Sequence, residues 1–120
     1  IEAGFDPTVM VGAEVKEFDD DVIRIGSSKW FVLEACEYDR AFLDFHPKIL
    51  ILTNIEEEHL DTYPGGLDEI KEAFKDYINH VPKDGLIIAC ADDHNIKDVT
   101  ELKRLYQKVL PYRKATDTSV

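Results

Sequence analysis

Short apolar runs punctuate this chain, set between polar stretches and two longer segments of helical spacing. Phe31-Val32-Leu33, Ile49-Leu50-Ile51-Leu52 and Leu86-Ile87-Ile88-Ala89-Cys90 are brief, bounded and rich in β-branched or aromatic side chains. That pattern predicts strands buried on both faces, as in a parallel sheet. Thr8-Val9-Met10-Val11 predicts another short strand before Gly12, and Val22-Ile23-Arg24-Ile25 an edge strand that turns at Gly26-Ser27-Ser28. Ile70, Ala73, Phe74, Tyr77, Ile78 and Val81 recur at helical intervals, which predicts a helix from about Leu67 to His80, with Asp68 and Glu69 in the first turn where the helix dipole favours them.

A second stripe, Ile96, Val99, Leu102, Leu105, Tyr106 and Val109, predicts a helix from Ile96 to Leu110, with Asp92 or Asp93 as its cap and a loose polar tail from Pro111 to Val120. Arg40 to Phe45 has helical spacing but is closed by His46-Pro47, so it predicts one or two turns with Phe42, Leu43 and Phe45 packed inward. The alternation of strand and helix predicts an α/β fold, a three-layer, mostly parallel sheet with helices on both faces, in one domain spanning residues 1–120.

Composition narrows the function classes. The chain has 120 residues, 44% hydrophobic and 32% charged, as in an ordered globular domain. Its net charge of -11 disfavours nucleic acid and anionic membrane as partners, and an anionic substrate would need a cation to bridge it. No run is long enough to span a bilayer and no signal-peptide pattern occurs. The two cysteines, Cys36 and Cys90, lack metal or redox spacing and read as buried free thiols of a reducing cytoplasm.

The chemistry sits after two of the strands. In parallel sheets ligands gather beyond the carboxyl ends of strands, and here one strand runs into Glu34-Ala35-Cys36-Glu37-Tyr38-Asp39, the other into Thr53-Asn54-Ile55-Glu56-Glu57-Glu58-His59-Leu60-Asp61. A glutamate from one end and a histidine from its neighbour would suit a Mg²⁺ or Mn²⁺ whose remaining shell is water and phosphate. The alternative from the residues alone is a paired strand-end carboxylate at Glu34 and a surface imidazole at His59 within a solvated acidic run.

Glu34-Ala35-Cys36-Glu37-Tyr38, Phe42-Leu43, His46-Pro47, Thr53-Asn54-Ile55-Glu56 and His59-Leu60-Asp61 together resemble the central, ATPase domain of the Mur ligases. The flanks agree: Asp6-Pro7-Thr8-Val9 with Gly12 and Glu14, then Asp84-Gly85 with Cys90-Ala91-Asp92-Asp93, so the similarity runs from about Gly4 to Asn95. The resemblance implies a cytoplasmic, ADP-forming ligation of peptidoglycan synthesis, with ATP and Mg²⁺ (or Mn²⁺) as cofactors and UDP-N-acetylmuramate and L-alanine as substrates.

By the same resemblance Glu34 and His59 match the family's metal ligands. Asn54 matches an asparagine near the reacting phosphate and carboxylate, so the catalytic and nucleotide-facing assignments fall on Asn54 and His59. Asp61 would orient His59 or a metal-bound water from outside the ligand shell. This chain has Glu58-His59-Leu60-Asp61 where the family has Asp-His-Leu-Asp, and it contains no GxxxxGKT phosphate loop. It is therefore expected to be a piece of a longer ligase, inactive alone and prone to self-associate through an exposed sheet edge. Three other readings stand beside it: a family member that recycles murein tripeptide, a metal-dependent phosphohydrolase using Glu34, His59, Asp61, Asp92 and Asp93, and a non-catalytic acidic binding module.

Overall fold

The computed structural model describes residues 2–101, 103 and 108–114. The chain divides into two compact units, Ile1–Cys36 and Glu37–Val120.

In the first unit β1 (Thr8–Val15) lies between β2 (Asp21–Arg24) and β3 (Phe31–Leu33). β1 runs antiparallel to β2, with an irregularity between Met10 and Val15, and parallel to β3 in the register Thr8 to Phe31, Val9 to Val32 and Met10 to Leu33. β1 is longer than its apolar run predicts because pairing to β2 resumes at Val15 opposite Asp21. Asp6 ties the unit together: its carboxylate accepts from the Ser27 amide at 2.8 Å and hydroxyl at 2.7 Å, and pairs with Arg24. These donors, the Ser27 hydroxyl first, hold the Asp6 carboxyl well below the usual carboxylate range. Gly26 is required here, since a Cβ would fall 2.2 Å from the Asp6 carbonyl oxygen.

Phe31 and Val32 are exposed, where burial on both faces was expected. Among its described residues this unit carries one 3-10 turn, Lys16–Phe18, and no α-helix, so its sheet has no layer of its own to cover it.

The second unit is a parallel sheet in the order β4 (Ile49–Leu52), β5 (Leu86–Cys90), β6 (Val109–Tyr112). Helices α1 (Leu67–Asn79) and α2 (His94–Thr100) pack with it into one core. Leu50 and Leu52 stand in register with Ile87 and Ala89, and these four are buried together with Ile70, Ala73, Tyr77 and Ile78 of α1 and Ile96 and Val99 of α2. β4 thus alternates: Ile49 and Ile51 point away from that core and stay exposed. The α/β class is the one the sequence predicts. The pairing differs, since β3 and β4, expected to be neighbours, take their hydrogen-bonded partners in separate sheets.

α1 matches its predicted span to within a residue. The predicted helix from Ile96 to Leu110 is helical as far as Thr100 and ends differently: Val109 and Leu110 lie in β6, where Pro111 and Tyr112 also belong, and Leu102 and residues 104–107 fall outside the described residues, as do 115–120 of the predicted tail. The turn Tyr38–Asp44 is 3-10, interrupted by left-handed Asp39 and Arg40, and it delivers Phe42 into the core against Phe74 and Tyr77. Cys90 is buried as expected and Cys36 is exposed; both are free.

Candidate functional site

Glu34 follows β3 in the first unit. Its amide donates to Met10 O at 2.9 Å, continuing the parallel ladder one residue past the strand, and its Oε2 accepts from the Gly12 amide at 2.8 Å. The carboxylate is therefore exposed but directed, held over β1 by a charge-assisted bond.

The second unit organises the run after β4. Both main-chain polar groups of Ile55, a side chain buried to 1% exposure, are taken: its amide donates to Asp93 Oδ2 at 3.4 Å and its carbonyl accepts from Asn95 Nδ2 at 2.8 Å. Asp93 also caps α2 by accepting from the Ile96 amide at 2.9 Å, so the end of β5 anchors the end of β4. From this anchored segment Asn54 extends into solvent, its Nδ2 donating to Glu56 Oε1 at 3.2 Å and its Oδ1 accepting from the Thr53 hydroxyl at 3.1 Å. Glu57 turns the other way and accepts from the Leu67 amide at 3.0 Å, serving the start of α1, where Gly66 has no capping side chain.

His59 sits at the bend that follows. Its φ of 52 is left-handed, and its carbonyl accepts from the amides of both Thr62 and Tyr63 at 2.9 Å. This tight turn brings the imidazole back towards Glu37: Nε2 lies 3.2 Å from Glu37 Oε1 and 3.9 Å from Glu58 Oε2, and the Tyr38 ring meets the imidazole edge-on at 5.2 Å between centroids. Glu37 is fixed in turn by Tyr63, whose phenol donates to the Glu37 carbonyl at 2.6 Å. One ligand atom from each of Glu37, Glu58 and His59 falls within 4.8 Å of the others, and His59 and Glu37 are each about one-third exposed.

Asp61 is exposed and makes no ion pair with His59; the carboxylates that reach the imidazole are Glu37 and Glu58. Neither was singled out as a ligand from the sequence. The available signal was position, since Glu37 shares the strand-end segment of Glu34 and Glu58 adjoins His59. Asp92 and Asp93 are engaged elsewhere: Asp92 accepts from Arg113 at 3.3 Å and from the Lys114 amide at 2.9 Å, and Asp93 serves the cap and Ile55. The capping role expected of this pair is realised in Asp93.

Two carboxylates and an imidazole, open to solvent and close together, are donors that suit a Mg²⁺ or Mn²⁺ with the rest of its shell left to water and phosphate. No helix among the described residues is long and apolar enough to cross a membrane.

The chain, an α/β scaffold, belongs to the Mur ligase family: the family model for the Mur ligase middle domain matches residues 18–118. At finer grain, the chain is 43% identical over 110 residues, 92% of its length and 23% of the relative's, to the UDP-N-acetylmuramate--L-alanine ligase of Caldanaerobacter subterraneus subsp. tengcongensis. It is 46% identical over 99 residues, 82% of its length and 21% of the relative's, to the enzyme of the same name from Clostridium tetani. The chain thus spans about a quarter or less of the curated relatives it matches. Among solved structures, the UDP-N-acetylmuramate:L-alanyl-gamma-D-glutamyl-meso-diaminopimelate ligase from Neisseria meningitides superposes with a TM-score of 0.78 at 24% identity, covering 96% of this chain and 42% of that one, which shows the shared fold.

Proposed function

We infer that this chain is the metal-bearing part of the ATPase domain in an enzyme that joins UDP-N-acetylmuramate to L-alanine. The observation that carries this reading is the 43% and 46% identity to ligases of that name over nearly the whole chain. In the reaction a carboxylate oxygen of UDP-N-acetylmuramate attacks the γ-phosphorus of ATP and ADP departs. The amine of L-alanine then attacks the acyl carbon of the resulting acyl phosphate, and inorganic phosphate leaves with the formation of the amide. A divalent cation supplies charge neutralisation at the phosphates in such a transfer.

Glu34 in the first unit and His59 in the second are each assigned a cation-ligand role on the likeness of their motifs to the family's. Glu34 contributes a carboxylate already directed by Gly12, and His59 an imidazole presented by a bend with a doubly bonded carbonyl. Asn54 orients the reacting phosphate or carboxylate through its amide, from a segment anchored at Ile55. Asp61, exposed beside the bend, acts on the cation through bound water. The phosphate loop is supplied by sequence beyond these residues, and the 120 residues alone neither bind ATP tightly nor catalyse ligation. The tripeptide ligase of Neisseria meningitides shares the fold at lower identity, and the higher identity to the L-alanine enzymes supports L-alanine as the substrate. A phosphohydrolase is disfavoured because Asp92 and Asp93 are already committed to structural bonds.

A Mn²⁺ titration followed by electron paramagnetic resonance, with and without ATP, tests the reading. Weak binding that strengthens with nucleotide is expected. Tight stoichiometric binding independent of ATP would indicate a hydrolase, and no binding a non-catalytic module; either result overturns the proposal.

A further inference from the structure

We propose that Glu37 is a direct ligand of the divalent cation held by His59, occupying the position next to the imidazole, with Glu58 within reach as a third. The inference rests on the reading above, in which His59 binds metal. Glu37 Oε1 and His59 Nε2 are 3.2 Å apart. Two donor atoms at about 2.1–2.2 Å from a cation and at right angles to one another stand about 3.0–3.1 Å apart. The pair therefore already has the spacing of adjacent corners of an octahedral shell, and a cation would enter with little movement of either side chain. Glu58 Oε2, 3.9 Å from the same nitrogen, would have to move to reach a corner of the same shell.

The mounting supports the assignment. Tyr63 is fully buried, and it fixes both partners at once: its phenol donates to the Glu37 carbonyl, and its amide donates to the His59 carbonyl. The Arg40 amide adds a second bond to the Glu37 carbonyl at 3.0 Å. Glu37 is thus held by its main chain, which leaves its carboxylate committed to nothing except the neighbourhood of His59. Two anionic oxygens beside one imidazole, in a chain of net charge -11, repel each other, and a divalent cation among the three donors would relieve that repulsion.

The test is Mn²⁺-induced broadening of the His59 imidazole and Glu37 side-chain resonances in the isotopically labelled chain, for the wild type and the variants Glu37→Gln, Glu58→Gln, His59→Ala and Asp68→Asn. Glu37→Gln keeps the main-chain carbonyl that Tyr63 and Arg40 hold, so an unchanged amide spectrum around Tyr63 certifies the fold. Broadening at both residues is expected in the wild type, with Mn²⁺ affinity at His59 lowered about tenfold or more by Glu37→Gln, a loss typical of groups that tune a metal site. Asp68→Asn, which removes the same charge on the exposed start of α1, should leave that affinity within about twofold. If Glu37→Gln leaves the broadening of the His59 imidazole unchanged while His59→Ala abolishes broadening of the Glu37 side chain, the role of Glu37 is wrong and the metal role of His59 stands. If His59→Ala also changes nothing, the metal reading of His59 fails and the role of Glu37 falls with it.

Discussion

The phenol of Tyr63 and the main-chain oxygen of Glu37 meet at 2.6 Å, in a side chain with no solvent exposure. Through this bond the turn that carries Glu37 and the bend that carries His59 share one buried support, because the Tyr63 amide also binds the His59 carbonyl. Tyr63→Phe keeps the ring in the core and removes the donor. It is expected to cost about 1 kcal/mol, the usual net worth of one buried hydrogen bond. Denaturant unfolding measures that loss, and nuclear magnetic resonance should show its largest shifts at Glu37 and His59.

Gly66 precedes α1 with φ 68 and ψ -149, a conformation that side chains resist, and a Cβ there would lie 2.8 Å from Glu57 Oε2. Gly66→Ala is therefore expected to destabilise the second unit by about 1–3 kcal/mol. Because Glu57 caps the Leu67 amide, the substitution should also fray the first turn of α1, which amide hydrogen exchange at Leu67 and Asp68 reads directly.

Asp93→Ala removes the cap of α2 and the acceptor for the Ile55 amide together. A cap alone is worth about 1 kcal/mol, so the expected loss in a thermal or denaturant melt exceeds that of a lone surface cap. The segment Thr53 to Glu56 should loosen as well, whereas Asp92→Ala should leave Ile55 protected.

Asp6 gives the first unit a defined response to acid. Its folded carboxyl is held low, chiefly by the Ser27 hydroxyl and then by Arg24. Its contribution to stability is present above the unfolded value of ~3.9 and is lost as pH falls through the lower folded value. Asp6→Asn should therefore destabilise the first unit at neutral pH, and the gap between wild type and variant should narrow as melts are taken at progressively lower pH below about 4. A gap that stays constant down to the acid limit would contradict the assignment.

Among the described residues β2 and β3 are the outer strands of one sheet, and β4 and β6 of the other. An outer strand such as β3, with Phe31 and Val32 exposed, leaves unpaired main-chain groups beside apolar side chains, which favours pairing with another chain. The chain is expected to self-associate with rising concentration in light scattering, and a strictly monomeric profile would count against edge pairing.

What was legible in the sequence tracks how local its cause is. The stripe Ile70 to Val81 marks α1 because helix burial follows from spacing within one segment, and the Asp93 cap is written in its own neighbourhood. The apolar stripe past Thr100 misled, since Val109 and Leu110 also suit a strand, and pairing to Ile87 and Ile88 decides between the two periods. Strand neighbours are long-range choices, and β3 beside β1 could not be read from Phe31-Val32-Leu33 alone. At the site, His59 stood out as a lone imidazole after a strand. Glu37 did not, because its approach to His59 depends on left-handed turns at Asp39, Arg40 and His59, residues whose side chains do not demand that backbone.

The most direct test is crystallographic. Crystals of the chain grown with Mn²⁺ and measured at the manganese edge should give an anomalous peak at coordination distance, about 2.2 Å, from the His59 imidazole and with Glu37 in its shell. Manganese bound only along the acidic stretch from Lys16 to Asp21, or nowhere near His59, would contradict the account.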